Sequence, residues 1–183
     1  MHEVLDKPST RAMVTKISVA GYHRLFEQGI IPEKTELIRG VVIEKMPKSP
    51  ERAFAIMYLL ERMRTIFGSA FVVRTENPIT LADSEPEPDL AILPGPATLY
   101  AKQHPKSARL IIEVSKTSYD LDFDKQYIYA EAGIPEYWLV NLEKSETEVY
   151  RRPEAGQYLE RTIYGKGKQI PLEGALISLD EIY

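Results

Sequence analysis

Arg109-Leu-Ile-Ile-Glu-Val-Ser115 and Glu136-Tyr-Trp-Leu-Val-Asn141 enclose a polar, helix-prone segment, Asp122 to Ala132, that stops at Gly133. The two outer runs are short, almost wholly apolar and rich in β-branched or aromatic side chains. They read as strands buried on both faces. The segment between them reads as a helix ended by glycine. A strand–helix–strand unit of this length makes a right-handed parallel crossover. An α/β domain with a central mixed sheet follows, helices lying on its faces.

Working upstream, Asp89-Leu-Ala-Ile-Leu93 is a further buried strand. Ser84-Glu-Pro-Glu-Pro88 before it is a stiff turn, because each proline fixes its own φ and keeps the preceding residue out of a helix. Phe71 to Leu81 reads as a strand broken at Pro78. Ser49-Pro50-Glu51 opens a long helix with serine as cap and proline in the first turn. Its apolar stripe is read as Phe54, Met57, Tyr58, Leu60, Met63 and Phe67, with Gly68 as the stop. Glu36 to Met46 alternates around Arg39-Gly40 and predicts a β-hairpin. Ser18 to Gly29 predicts a short capped helix with Tyr22, Leu25 and Phe26 on one face. Downstream, Thr147–Arg151 and Gln157–Tyr164 predict an antiparallel pair, and Leu176–Ile182 a short closing segment. The division is one domain over residues 16–183, preceded by a loose tail over 1–15.

Composition narrows the chemistry. The chain has 183 residues, enough for one well-filled core. Cysteine is absent, which removes disulfides, thiolate zinc sites and a cysteine nucleophile, and suits a reducing cytoplasm. No apolar run is long enough to span a bilayer, and residues 1–16 lack a secretory core. A net charge of −4 argues against a protein that coats nucleic acid through sheer positive charge.

Three carboxylates stand where chemistry is easily built. Asp89 opens one apolar strand, Glu113 lies within another, and Glu36 opens the hairpin. An isolated carboxylate inside Leu-Ile-Ile-Glu-Val costs several kcal/mol, so Glu113 must be paired, protonated or cation-bound. If the Asp89 and Glu113 strands are neighbours, the two acids can share one divalent ion such as Mg²⁺. The alternative for each is an ordinary acid satisfied by arginine or backbone N–H groups. A lysine beside such acids orients water or neutralises charge. Lys116 falls on the opposite face of the strand from Glu113 by period-2 alternation. Lys125 lies on the following helix, with Tyr129 at i+4 on the same face, and is the better choice.

These residues form a pattern. Glu113-Val-Ser, Thr117-Ser118, Asp122, Lys125, Tyr129-Ala130 and Ala132-Gly-Ile-Pro-Glu-Tyr-Trp-Leu-Val-Asn141 resemble the signature of the Uma-type endonuclease family. That family belongs to the PD-(D/E)XK restriction-endonuclease-like superfamily. Glu36-Leu-Ile-Arg-Gly40 resembles its early acidic motif, and Pro88-Asp89-Leu-Ala-Ile-Leu93 its proline–aspartate strand. The resemblance runs from about Ser18 to Ile182. It implies a mixed sheet flanked by helices and Glu36, Asp89 and Glu113 as metal-site acids. It also implies a lysine displaced to the next helix, here Lys125. Relatives often carry a histidine near the start of the second helix, where this chain has Ala53 or a neighbour.

The expectation is therefore Mg²⁺-dependent (or Mn²⁺-dependent) phosphodiester hydrolysis, with DNA as the substrate by family analogy and a homodimer suited to cutting two strands. The rival is an inactive nuclease fold that binds nucleic acid or protein. A glycosidase using paired carboxylates is disfavoured by the single tryptophan. His2, His23 and His104 have no ligand partner at i+3 or i+4 and read as surface residues. Glu136 sits at a strand mouth and could face the site. Arg161 to Lys168 is a short basic stretch that reads as a solvated turn, with contact to a phosphate backbone as the alternative.

Overall fold

The computed structural model describes residues 8–11 and 13–183; the remainder of the expected tail, including His2, lies outside the described residues. Among the described residues, four helices and ten strands follow one another. Helix α1 (Pro8–Arg11) is a single turn. Helix α2 (Val19–Glu27) is capped by the Ser18 side chain, which accepts from the Gly21 N–H. Strands β1 (Thr35–Ile38) and β2 (Val41–Glu44) form the expected hairpin. Arg39 and Gly40 both take positive φ (50° and 77°), the conformation that matches strand twist in a two-residue turn. A Cβ at Gly40 would meet the Lys16 side chain at 2.7 Å, so glycine is required there twice over.

Helix α3 (Pro50–Phe67) has the predicted bounds, with Ser49 as N-cap and Gly68 as C-cap. Its buried face differs from the sequence reading. Ala55, Ile56, Leu59, Met63 and Phe67 are buried, whereas Phe54 and Met57 are about half exposed. An i, i+4 ladder built on small Ala55 lets the helix approach the sheet, while the bulkier neighbours stay outside. Phe26 of α2 is likewise exposed, and Tyr22 alone of that helix is buried.

A six-stranded sheet carries the domain. It runs β3 (Phe71–Arg74), β4 (Leu90–Pro94), β5 (Leu110–Ser115), β6 (Glu136–Asn141), β7 (Glu146–Glu154) and β8 (Gln157–Gly165). Strands β5 and β6 are parallel, as a crossover requires, and every other pair is antiparallel. The crossover helix α4 (Tyr119–Glu131) starts at Tyr119, after Ser118 at the N-cap position, three residues before the sequence reading placed it. Strand β3 stops at Arg74, well before Pro78, because Glu76 turns into positive φ. The closing segment is a second hairpin, β9 (Gln169–Leu172) and β10 (Ala175–Ser178), followed by a 3-10 turn.

Helix α3 covers one face of the sheet, packing with the C-terminal hairpin on Leu90, Ile92, Ile112, Trp138 and Val140. Helix α4 covers the other, where Tyr129 meets Ala91, Ile111, Tyr137 and Leu139. Each fully buried Leu, Ile or aromatic side chain contributes about 2 kcal/mol. Among the described residues, no helix is long and apolar enough to cross a membrane.

Candidate functional site

Strand alternation puts Asp89 and Glu113 on the α4 side of the sheet. Asp89 precedes Ala91, and Glu113 follows Ile111, both of which pack under α4. The two strands are adjacent, so the acids meet. The Asp89 N–H donates to Glu113 Oε2 (3.2 Å), and the Val114 N–H donates to Asp89 Oδ2 (2.7 Å).

Lys125 comes down from α4. Its Nζ lies 3.1 Å from Glu113 Oε1, 3.0 Å from Glu36 Oε1 and 3.5 Å from Asp122 Oδ1. The Tyr129 hydroxyl donates to the same Glu113 oxygen at 3.0 Å, so one helical face delivers both donors. Glu36 arrives on β1 and is fixed by the Glu87 N–H at 3.3 Å. All four sequence-chosen residues, Glu36, Asp89, Glu113 and Lys125, are buried within this one cluster. Lys116 lies elsewhere, on Glu51 at 3.0 Å.

Two members were given no site role by the sequence reading, although Asp122 stands within the quoted signature. Asp122 is buried beside Lys125, one turn earlier on α4, and accepts from Ser118. Its i, i+3 spacing from Lys125 was the available signal. Arg52 reaches in from the first turn of α3: its Nη2 donates to both Asp89 oxygens (2.9 and 3.0 Å) and its Nε to the Val114 carbonyl (2.8 Å). The Ser49 cap and Pro50 fix where that turn begins. Nothing in the local sequence says that Arg52, rather than Ala53, points at Asp89.

Four buried carboxylates thus face two cations, an excess of two negative charges when all four are ionised. The titration behaviour reflects it. Burial, reinforced by Glu113, pushes the Asp89 carboxyl up to about 6 despite Arg52. Burial also raises Glu113 against the pull of Lys125, with Asp122 and Glu36 adding to the rise. Asp122 is raised by burial in the same way. Burial works against the Lys125 charge, but Glu113, Glu36 and Asp122 outweigh it and raise its pKa. Lys125 is therefore an ammonium at any neutral pH. A cavity of about 40 Å³ opens beside Glu36, Arg52, Glu113, Asp122 and Lys125.

The donor set is all oxygen, the kind that Mg²⁺ and Mn²⁺ take. Among the described residues, no three acids stand ready as a metal cage. The reason is visible in the contacts: Arg52 and Lys125 hold the oxygens that would otherwise converge. The acids are of the kind that suit a divalent ion in charge and in chemistry, and Arg52 now donates to both Asp89 oxygens.

Glu136 does not belong to the site. It lies at the opposite end of the sheet, on the α3 side, where Arg151 (2.7 Å), Arg109 (3.7 Å) and the Trp138 Nε1–H (2.7 Å) hold it. His23 is half exposed and pairs with Glu85. Arg161, at the β8 edge, is bound to Glu148.

No curated protein matches the chain. Among solved structures, it is similar to a protein described as a putative nuclease belonging to DUF820 from Anabaena variabilis. The identity is 15%, the TM-score 0.70, and the match covers 86% of this chain and 96% of that one. At that identity the likeness concerns the fold. The family model Uma2, described as putative restriction endonuclease, matches residues 22–180. The span includes both strands that carry the paired acids, the crossover helix and the hairpin, and the chain belongs to the Uma2 family of restriction-endonuclease-like proteins.

Proposed function

We propose that the chain is an endonuclease that hydrolyses phosphodiester bonds, with DNA as substrate, using Mg²⁺ (or Mn²⁺) held by Asp89, Glu113 and Glu36. The observation that supports it most is the charge deficit: four buried acids against two cations, an imbalance of the size one divalent ion removes. Such an ion, when bound, lowers the pKa of water and offsets the charge that develops on a phosphodiester. The family description names restriction endonucleases, and DNA is assigned on that analogy.

Lys125 acts as a donor. In the metal-free protein the three surrounding acids hold it as an ammonium, placed to orient the attacking water and offset negative charge. Tyr129 and Lys125 together hold Glu113 in one rotamer, and the Val114 N–H does the same for Asp89. Glu36 supports the site from the hairpin. Asp122 keeps Lys125 directed inward. Two copies of the chain would bring two such sites to two strands, and light scattering of the purified protein tests for the dimer.

A second reading draws on one contact. Arg52 occupies Asp89 as a metal would, which favours a fold that binds nucleic acid without cutting it. Plasmid nicking separates the two. The enzyme reading expects nicks with Mg²⁺ or Mn²⁺, none with chelator, and none from Asp89→Asn or Lys125→Ala. Binding of DNA without nicking under every metal tried would establish the second reading instead.

A further inference from the structure

A cleft of about 600 Å³ shares no lining residue with the carboxylate cluster, and the proposed chemistry does not use it. Its lining includes Arg74, Lys102, Lys106, His23, His104 and Tyr100, and contains no carboxylate. The chain as a whole carries a net charge of −4, so a cleft lined by cations without acids stands apart from it. Among the described residues, Arg74, Lys102 and Lys106 make no ion pair, in contrast to Arg39, Arg109, Arg151 and Arg161. Arg74 Nη1 is buried with no hydrogen-bond partner. A guanidinium nitrogen withheld from both water and protein acceptors is costly unless something accepts from it.

The position of the cleft matters as much as its charge. Arg74 ends β3, the edge strand, and pairs in register with Ala91. Asp89 lies two residues before Ala91 on the adjacent strand, so Arg74 and Asp89 share one face and one end of the sheet. A second route links the cleft to the site. His23 and Thr80, both in its wall, bond the two oxygens of Glu85 at 2.6 Å each. Glu85 pairs through its backbone with Leu37, the neighbour of Glu36. The far wall is the 101–106 segment, exposed except at buried Pro105, where the Thr80 N–H donates to the Pro105 carbonyl.

We propose that this cleft, between the edge strand β3 and the 101–106 segment, is the track along which the nucleic-acid backbone enters the site, with Arg74, Lys102 and Lys106 contacting successive phosphates. Fork-shaped guanidinium donors and flexible ammonium groups are the side chains that take phosphate oxygens. The cleft volume lies within the range of ligand clefts, about 300–1,000 Å³. The assignment rests on the nuclease reading and extends it from the reacting bond to the flanking strand.

The test is fluorescence anisotropy of a labelled DNA duplex and its single strand in Ca²⁺, across a salt series, with Mn²⁺ calorimetry run in parallel. The double variant Lys102→Glu with Lys106→Glu changes only exposed side chains, and Arg74→Gln is the second probe. The proposal expects DNA affinity to fall at least tenfold in each, and the salt slope to drop by about two in the double variant, at about 0.9 per lost phosphate contact. Mn²⁺ affinity should not change. Unaltered DNA affinity in both variants, while the wild type binds and cuts, overturns the track and leaves the nuclease reading standing. A wild type that binds Mn²⁺ but neither binds nor cuts DNA overturns both.

Discussion

Glu113 and Glu148 lie in one row of the sheet, each beside Leu139, on the same α4-covered face. Both are about 1% exposed. Their surroundings are opposite. Glu148 accepts from the hydroxyls of Tyr119 and Tyr150 and from Arg161 Nε and Nη2. Burial works against its charge, but those donors outweigh it and hold its carboxyl below the usual range. Glu113 shares Lys125 with two other acids, and its carboxyl is pushed up. One carboxylate is finished as a piece of structure. The other shares one ammonium with two further acids, which is the setting on which the proposed metal site rests. Perturbed acids of this kind concentrate at functional sites because selection for chemistry tolerates their cost.

The largest effect should separate these two acids. Glu113→Gln is expected to reduce nicking by about 10³-fold, as loss of a key electrostatic group does. Glu148→Gln should leave nicking within a few-fold of wild type. Equal losses in both would dissolve the contrast. Next comes Arg52→Ala, which leaves Asp89 buried without its partner. It should destabilise the protein by about 3 kcal/mol in urea unfolding with chelator. Added Mn²⁺ should restore much of that loss, since a cation then occupies Asp89. Failure of Mn²⁺ to restore stability would mean that Asp89 takes no metal.

Smaller stability changes sharpen the comparison further. Glu148→Gln should cost about 2 kcal/mol, because two hydroxyls and a guanidinium lose an ionised acceptor. Glu113→Gln should stabilise the metal-free protein by about 1 kcal/mol, since it removes one member of a like-charge group. The smallest signal is the pH dependence. Asp89 titrates at about 6 when folded, above the usual 3.8. The folded state therefore keeps a proton that the unfolded chain releases, and metal-free stability should decline as pH rises from about 4 through about 6. Glu148 has the opposite sign: its contribution is present above the ordinary value of 4.5 and is lost as pH falls through its lower folded pKa. Unfolding midpoints of wild type and Glu148→Gln across pH 3–8 would resolve the two slopes.

Much of this fold can be read from local chemistry. The Ser49–Pro50 start and Gly68 stop bound α3, Arg39-Gly40 sets the first hairpin, and the apolar runs at 90–94, 110–115 and 136–141 are the central strands. What eluded the sequence depended on partners far along the chain. Phe54 and Ala55 are equally compatible with a buried face until the sheet is in place, and the sheet selects the smaller side chain. Strand β9 contains Pro171 and follows Lys166-Gly-Lys168, so its pattern is hidden until β10 pairs with it. The 75–88 segment is neither strand nor free loop: Glu76, Ile79 and Leu81 donate backbone bonds to Pro88, Pro86 and Ser84. The site divides the same way. Glu36, Asp89, Glu113 and Lys125 stand out because each carries charge within an apolar or patterned context. Arg52 is one charged residue among several on an exposed-looking first turn, and its contact with Asp89 is purely tertiary.

The most direct test is a crystal of the protein soaked in Mn²⁺, with data collected for the manganese anomalous signal. We expect one strong peak contacted by the carboxylates of Asp89 and Glu113, with the Arg52 guanidinium turned away from Asp89. A crystal that shows no peak there, and Arg52 still donating to both Asp89 oxygens at millimolar Mn²⁺, would contradict the account.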